Sequence, residues 1–297
     1  MTRSTQTAAS VRAVVAIDIG NSAAKWSVRQ VDGRPTPQQH VSIKSHDWPN
    51  HIIRDVQSNR SSEIPATTLW RIATVSSPAR LQLIAALQRR VSPDNIRTIT
   101  WRHVPMVPLV RYPDRLGIDR LLAGWMATRI YPGQRVVVVD AGSAITVDSV
   151  GPASEFHGGV ILPGLSLQFE SLGRGTDALP LLDPCDAAEQ SIELAVPALD
   201  TVSAIRSGIL CGTAGAVDRL IQMSLAKDPE NHDERSAAQV ILTGGDGGRL
   251  SSLLQTPHRV NHRLVLDALL DDGLRDEALL GDAAHDDLID RSERSSG

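Results

Sequence analysis

An α/β fold made of two related halves is what this sequence predicts, on three observations. Apolar runs of strand length alternate with segments of helical spacing along most of the 297 residues. The stretch "VVAIDIGNSAAKWSV", residues 14–28, reads as a buried strand that breaks off at Asp18 into glycine and small polar residues. The stretch "VVVVDAGSAITVDSV", residues 136–150, does the same, with Asp140 on Asp18, Gly142 on Gly20 and Ser149-Val150 on Ser27-Val28.

The elements follow in order. Residues 13–18 read as a buried strand and 24–31 as its hairpin partner, ended by the turn "DGRPTP". The polar stretch 46–63 carries no clear pattern. "LWRIATVSS", 69–77, is a third strand. A helix is expected over 78–91, opened by Pro78, with Leu81, Ile84, Leu87 and Val91 facing inward. "RTITWR" reads as a strand, and "PDRLGIDRLLAGWMATRIY" passes from a turn into a helix that buries Leu121, Leu122, Trp125, Met126 and Ile130. In the second half, strands are expected at 136–140 and 144–150, then "FHGGVILPG" as a turn, a short apolar strand and a Pro-Gly stop. Helices are expected over 165–172, 201–225 and 265–280, with "QVILTGG", 239–245, as a strand running into glycines. The resulting division is a flexible leader at 1–10, a first half at 11–116, a second half at 117–283, and a charged, Ser-rich disordered tail at 284–297.

Composition narrows the class of function. Hydrophobic residues at 41% are ample for a core, and with aromatics at only 3% that core is expected to be filled by Ala, Val, Leu and Ile. A net charge of −4 gives no electrostatic basis for binding nucleic acid or an anionic membrane. Cys185 and Cys211 have neither CxxC nor zinc-ligand spacing and read as reduced thiols. No run approaches the roughly 20 apolar residues of a membrane span. Arg12 and Asp18 interrupt the apolar N-terminal stretch, unlike a signal peptide, so a soluble cytoplasmic protein is expected.

The repeated turn carries the chemistry. A carboxylate ending a buried strand is costly unless it is paired, hydrogen-bonded or near a cation. Glycine two residues on permits turns closed to other residues, with amide N–H groups offered to an anion. Asn21, Ser22 and Ser143 add neutral donors, and Lys25 adds a positive charge. This is a phosphate cradle, with Asp18 placed for the water shell of Mg²⁺; the alternative is two tight hairpins whose aspartates cap their own turns. No GxxxxGK[ST] or GxGxxG occurs. In "LGIDR", Asp119 opens a helix, where it can cap the first-turn N–H groups or take a proton from a substrate hydroxyl, with Arg120 beside it to hold a carboxylate. His258 and His262 sit four apart without a third ligand, a weak basis for a metal site.

Taken together, "DIGNSAAK", "GIDR", "DAGSAITVD", "GGVILPG" and "TGG" occur in an order and spacing that resembles the type III pantothenate kinases, within the actin-like sugar-kinase and Hsp70 ATPase superfamily. The resemblance spans about residues 13–275. It implies two ribonuclease-H-like (actin-like ATPase) halves with mixed sheets flanked by helices, a homodimer, and transfer of the γ-phosphate of Mg²⁺-bound ATP to pantothenate in coenzyme A synthesis. It also implies a monovalent cation, K⁺ or NH₄⁺. Carried over by position, the nucleotide loop falls on Asp18, Ile19, Gly20, Asn21, Ser22, Ala23, Ala24 and Lys25, and a second ATP contact on Ser143. The catalytic base falls on Asp119, within a substrate segment Gly117, Ile118, Asp119 and Arg120; the monovalent-cation ligand falls on Asp140, and a further substrate threonine on Thr201.

The chain departs from the family pattern in four places. Ser22 and Ser143 replace threonines but keep the hydroxyl, and Asp200 stands where asparagine is usual before Thr201. Val110 occupies the position of an expected substrate tyrosine, so either Tyr112 shifts into the role or the contact is lost. Two alternatives are a related kinase of a small polyol and a nucleotide-binding regulator of the same fold. Against the regulator stand Lys25, Asp119 and Asp140, which a pure binding module does not need.

Overall fold

A computed structural model of the protein describes residues 13–58, 67–183, 194–226 and 238–277; the leader at 1–10, Cys185 and the tail at 284–297 lie outside the described residues. By contact these residues group into two compact units. One runs to His103 and also takes in the segment from Val265; the other is Val104–Leu264. The division at 116/117 was drawn by motif, whereas this grouping follows packing.

In the first unit, β1 (Val14–Ile19) and β2 (Ala23–Arg29) form the expected hairpin, with Asp18 opposite Lys25 in the register. β3 (Gln39–Ser42) adds an antiparallel strand, and β4 (Leu69–Thr74) and β5 (Ile96–Thr98) lie parallel to β1 on its other side. The sheet order is β3-β2-β1-β4-β5. The polar stretch without a clear pattern holds helix α1 (Trp48–Ser58), whose Trp48, Ile52, Ile53 and Val56 sit on one face and are buried. α2 (Ser77–Leu87) starts at the expected proline but buries Ala79, Leu83 and Leu87, leaving Leu81 exposed. Burial at every fourth position turns the apolar face about one residue away from the one read off the leucines.

The expectation that aliphatic residues fill the core holds only in part. Trp26, Trp48 and Trp70 are fully buried in the first unit. Trp26 and Trp48 donate their indole N–H groups to Asp55 at 2.8 Å and Gln82 at 3.0 Å, which lets a large apolar ring be buried without stranding its polar atom. The unit is completed from the far end of the chain by α7 (Leu264–Leu270), shorter than the helix expected over 265–280. Arg71, buried on β4, explains why that segment belongs here. Its guanidinium donates to the carbonyls of Leu269, Asp271 and Leu274 and makes two bonds to Asp276 Oδ1 at 2.8 and 3.0 Å. A cation therefore gathers carbonyls of the last helical turn and of the segment that follows it.

The second unit repeats the order. β7 (Val136–Ala141), β8 (Ala144–Val150) and β9 (Glu155–Pro163) form an antiparallel meander, and β10 (Gln239–Thr243) and β11 (Arg259–Val260) run parallel beyond β7. With β6 (Val107–Pro108) added at the far edge, the sheet reads β11-β10-β7-β8-β9-β6. Leaving β6 aside, the strand order and directions match those of the first unit, so the internal repeat seen in the sequence is a repeat of topology. Two mixed sheets flanked by helices are the expected ribonuclease-H-like class.

Strand alternation divides the second sheet. Val137, Val139, Ala141, Ile145 and Val147 face α4 (Leu165–Gly175) and α5 (Thr201–Leu225) in one core. Asp140, Thr146 and Asp148 fall on the other face, where α3 (Ile118–Ile130) packs on β7 and β8. In α3, Leu121, Leu122 and Trp125 are buried as expected, but Ile130 is exposed because the helix ends there. A short helix not read from the sequence, α6 (Gly247–Ser251), follows the glycines after β10.

Candidate active site

Each acidic strand end closes its turn in the same way. Gly20 N–H donates to Ala23 O, and Gly142 N–H donates to Ala144 O, both at 3.0 Å. Neither glycine has a left-handed φ, which corrects the expectation that these turns need glycine for its backbone freedom. A Cβ built on Gly20 would meet only Ala23 O at 3.6 Å, and one on Gly142 only Ala144 O at 3.7 Å and Asp140 Oδ1 at 3.8 Å. The protein's own packing has room for a side chain at both. What the glycines leave is open space beside exposed backbone, the feature an anion cradle requires.

The other motif glycines are a different case, because their space is already filled. A Cβ on Gly164 would fall on Gly142 O and lie 2.6 Å from Ser143 O. Gly164 also donates to Ser143 O at 3.2 Å, so the end of "GGVILPG" braces the second turn. Gly244 has φ +90°, and its added Cβ would fall on Ala141 O and lie 2.5 Å from Asp140 Oδ1. Next to it, Asp246 N–H donates to Ala141 O at 2.9 Å, and His262 Nδ1–H donates to Gly244 O at 3.0 Å. The "TGG" turn is thus packed onto the strand end that carries Asp140.

At the start of α3, Gly117 is the N-cap residue and Asp119 the second helical residue. Asp119 does help the helix start: its Oδ1 accepts the Arg120 N–H at 2.9 Å. A Cβ on Gly117 would lie 2.5 Å from that oxygen, so the glycine makes room for the carboxylate to fold back. Burial pushes the Asp119 carboxyl above the ordinary carboxylate range, opposed by the Arg120 N–H and the Arg120 charge. Capping and proton acceptance are therefore compatible here, since one oxygen holds the helix and the group as a whole has raised basicity.

Arg120 is not left open to hold a substrate carboxylate with its full fork. Its Nε donates to both oxygens of Asp148, at 3.1 and 3.2 Å, and its Nη2 donates to Asp148 Oδ1. Asp148 is almost fully buried, accepts the Thr146 hydroxyl at 2.9 Å, and is itself pushed upward by burial. Gly159 lies opposite it in the register, where a Cβ would fall on Asp148 Oδ1. Asp148 closes the motif "DAGSAITVD", but the sequence assigned it no role. On β8 it falls two residues after Thr146, on the same face of the strand.

Two further residues stand apart. Thr201 is the exposed first residue of α5, and Asp200 is its N-cap, accepting Ser203 N–H at 2.9 Å and the Ser203 hydroxyl at 2.7 Å. Aspartate caps as well as the usual asparagine would, so that departure is mild. Tyr112 is exposed with the Arg115 guanidinium 5.0 Å from its ring centre, while Val110 lies against β9 near Gly158.

Two mixed sheets of the same strand order, each with an acidic strand end and an open glycine turn, give the fold class of the actin-like ATPases. Within that class the assignment is specific. The family model for type III pantothenate kinase matches residues 14–223. The type III pantothenate kinase of Rhodopirellula baltica is 34% identical, over 86% of this chain and 97% of its own length. That of Cupriavidus pinatubonensis is 31% identical, over 85% of this chain and 95% of its own. The chain belongs to the type III pantothenate kinase family.

Proposed function

We propose that this protein phosphorylates pantothenate to 4′-phosphopantothenate with ATP. The observation that carries the reading is the half-buried carboxylate at the "GIDR" helix start, raised above its ordinary range, in a chain that carries an open glycine turn on each sheet. The residues from Asp18 to Lys25 and Ser143 take the nucleotide phosphates; Gly117, Ile118, Asp119, Arg120 and Thr201 take pantothenate, with Tyr112 as a further candidate contact. Asp119 orients the primary hydroxyl and accepts its proton as the oxygen attacks the γ-phosphorus. Phosphoryl transfer asks for in-line positioning and charge neutralisation more than covalent help, and Lys25 supplies part of that charge.

Two cations fit the residues present. Asp18 at the end of β1 suits the water shell of Mg²⁺, a hard cation that keeps several waters, and Asp140 suits a monovalent cation, K⁺ or NH₄⁺. Among the described residues no cluster of three or more His, Cys, Asp or Glu is placed to hold a metal ion, in keeping with single carboxylates rather than a transition-metal cage. When bound, these ions neutralise phosphate charge. A coupled assay of ATP consumption against pantothenate tests the reading, and K⁺ is expected to activate the wild type but not Asp140→Asn. No pantothenate-dependent turnover refutes the function, and a wild type indifferent to both K⁺ and NH₄⁺ refutes the role of Asp140.

The same reading carries a homodimer and a cytoplasmic location. Val160 and Ile161 on β9 and Leu167 on α4 are exposed, large apolar side chains in the segment "GGVILPGLSLQFESL" that the dimer reading places at an interface. No helix among the described residues is long and apolar enough to cross a membrane. Light scattering is expected to give twice the chain mass at micromolar concentration; a fully active monomer excludes the dimer.

A further inference from the structure

We propose that Asp148 is a positioning residue for the reaction, acting through Arg120 to aim a guanidinium edge at pantothenate. This rests on the kinase reading above and adds to it a residue outside the substrate motif. Arg120 and Asp148 are 28 residues apart in sequence but joined by three hydrogen bonds. The bonds use Nε and Nη2, and Nη1 has no hydrogen-bond partner among the described residues. An arginine gripped along one edge cannot rotate, so its remaining donors point in a fixed direction.

The holder is itself held by Thr146, which donates to its Oδ2 at 2.9 Å, and the absent side chain of Gly159 leaves room for the carboxylate. The guanidinium carbon lies 5.7 Å from the centre of the Phe156 ring. The pair has a second consequence. Arg120 follows Asp119 directly and accounts for both the charge and the N–H nearest to it. Asp148 takes the fork of that guanidinium, so Asp119 receives only the backbone N–H and keeps an oxygen for the substrate hydroxyl. Without Asp148, the released guanidinium is free to turn toward Asp119, on which its charge already acts.

The test is a steady-state comparison of wild type and Asp148→Asn, varying pantothenate and ATP separately, with thermal unfolding of both. Asn keeps the size and the contact with Thr146 but removes the charge that holds the fork. The expected result is a KM for pantothenate raised at least tenfold, an ATP KM within about twofold, and a kcat lowered less than in Asp119→Asn. A merely structural carboxylate would move both KM values together with the unfolding temperature, or neither, and either outcome overturns the proposal. Thr146→Val serves should Asp148→Asn fail to fold. It leaves the ion pair but removes the hydroxyl bond to Asp148 Oδ2, and a pantothenate KM raised by about two- to fivefold supports the proposal, whereas no change overturns it. A wild type without pantothenate turnover is a separate failure, of the kinase reading itself.

Discussion

Replacing Asp119 with asparagine lowers turnover by about 10²–10⁴-fold while ATP still binds. The substitution is nearly isosteric, and the amide oxygen can still accept the Arg120 N–H that Oδ1 accepts now at 2.9 Å. The helix start is therefore kept, and what is lost is the proton acceptor. The pH profile gives a second reading of the same group. Burial raises the Asp119 carboxyl above its ordinary value, and a base works only when deprotonated. Wild-type kcat/KM should therefore fall on the acid side at a pH above the ordinary carboxylate range, and that limb should vanish from the residual activity of the variant. Steady-state rates across pH, with a parallel ATP titration, decide it. Near-wild-type turnover in Asp119→Asn would leave the aspartate with its capping role alone.

What could be read from the sequence follows from which signals are local. The strand–Asp–Gly hairpins were legible twice because alternation, an abrupt carboxylate and a turn all lie within fifteen residues. Helix α5 was legible to its ends because Asp200 caps it and apolar spacing runs through its 25 residues. Helix α1 was not, since its apolar residues are spread through polar sequence and only tertiary contact shows that they share a face. The function of most motif glycines was also hidden. Gly117, Gly159, Gly164 and Gly244 are set by a carboxylate or carbonyl that comes from elsewhere in the chain or folds back in space. Asp148 was in view as the last residue of "DAGSAITVD", but its role was hidden for the same reason, because its partner lies on α3 and no spacing rule links them. Asp119 and Arg120 read as one adjacent pair in sequence, whereas in space the arginine is committed to Asp148.

Gly244→Ala is expected to destabilise the second unit by about 2–5 kcal/mol, from the left-handed backbone and the overpacking together. The first cost arises because φ at residue 244 is +90°, a region that an alanine enters only with strain. The second arises because the new methyl would fall on the backbone carbonyl of Ala141 and lie 2.5 Å from Asp140 Oδ1. A flexible side chain can yield to such a contact, but the Ala141 carbonyl is part of β7 and cannot move without disturbing the Asp140 turn. The unfolding temperature should drop by roughly 5–15 °C for a unit of this size. Activation by K⁺ should weaken more than that loss of stability explains, measured well below the transition, because Asp140 is the side chain the methyl displaces. Gly245→Ala supplies the control. Its φ lies outside the left-handed region and a Cβ there meets nothing within 4 Å, so its stability should change by no more than about 0.5 kcal/mol. Equal unfolding temperatures for the two variants would show that the loop relaxes around residue 244, and the argument that this glycine holds the Asp140 strand end in place would fail.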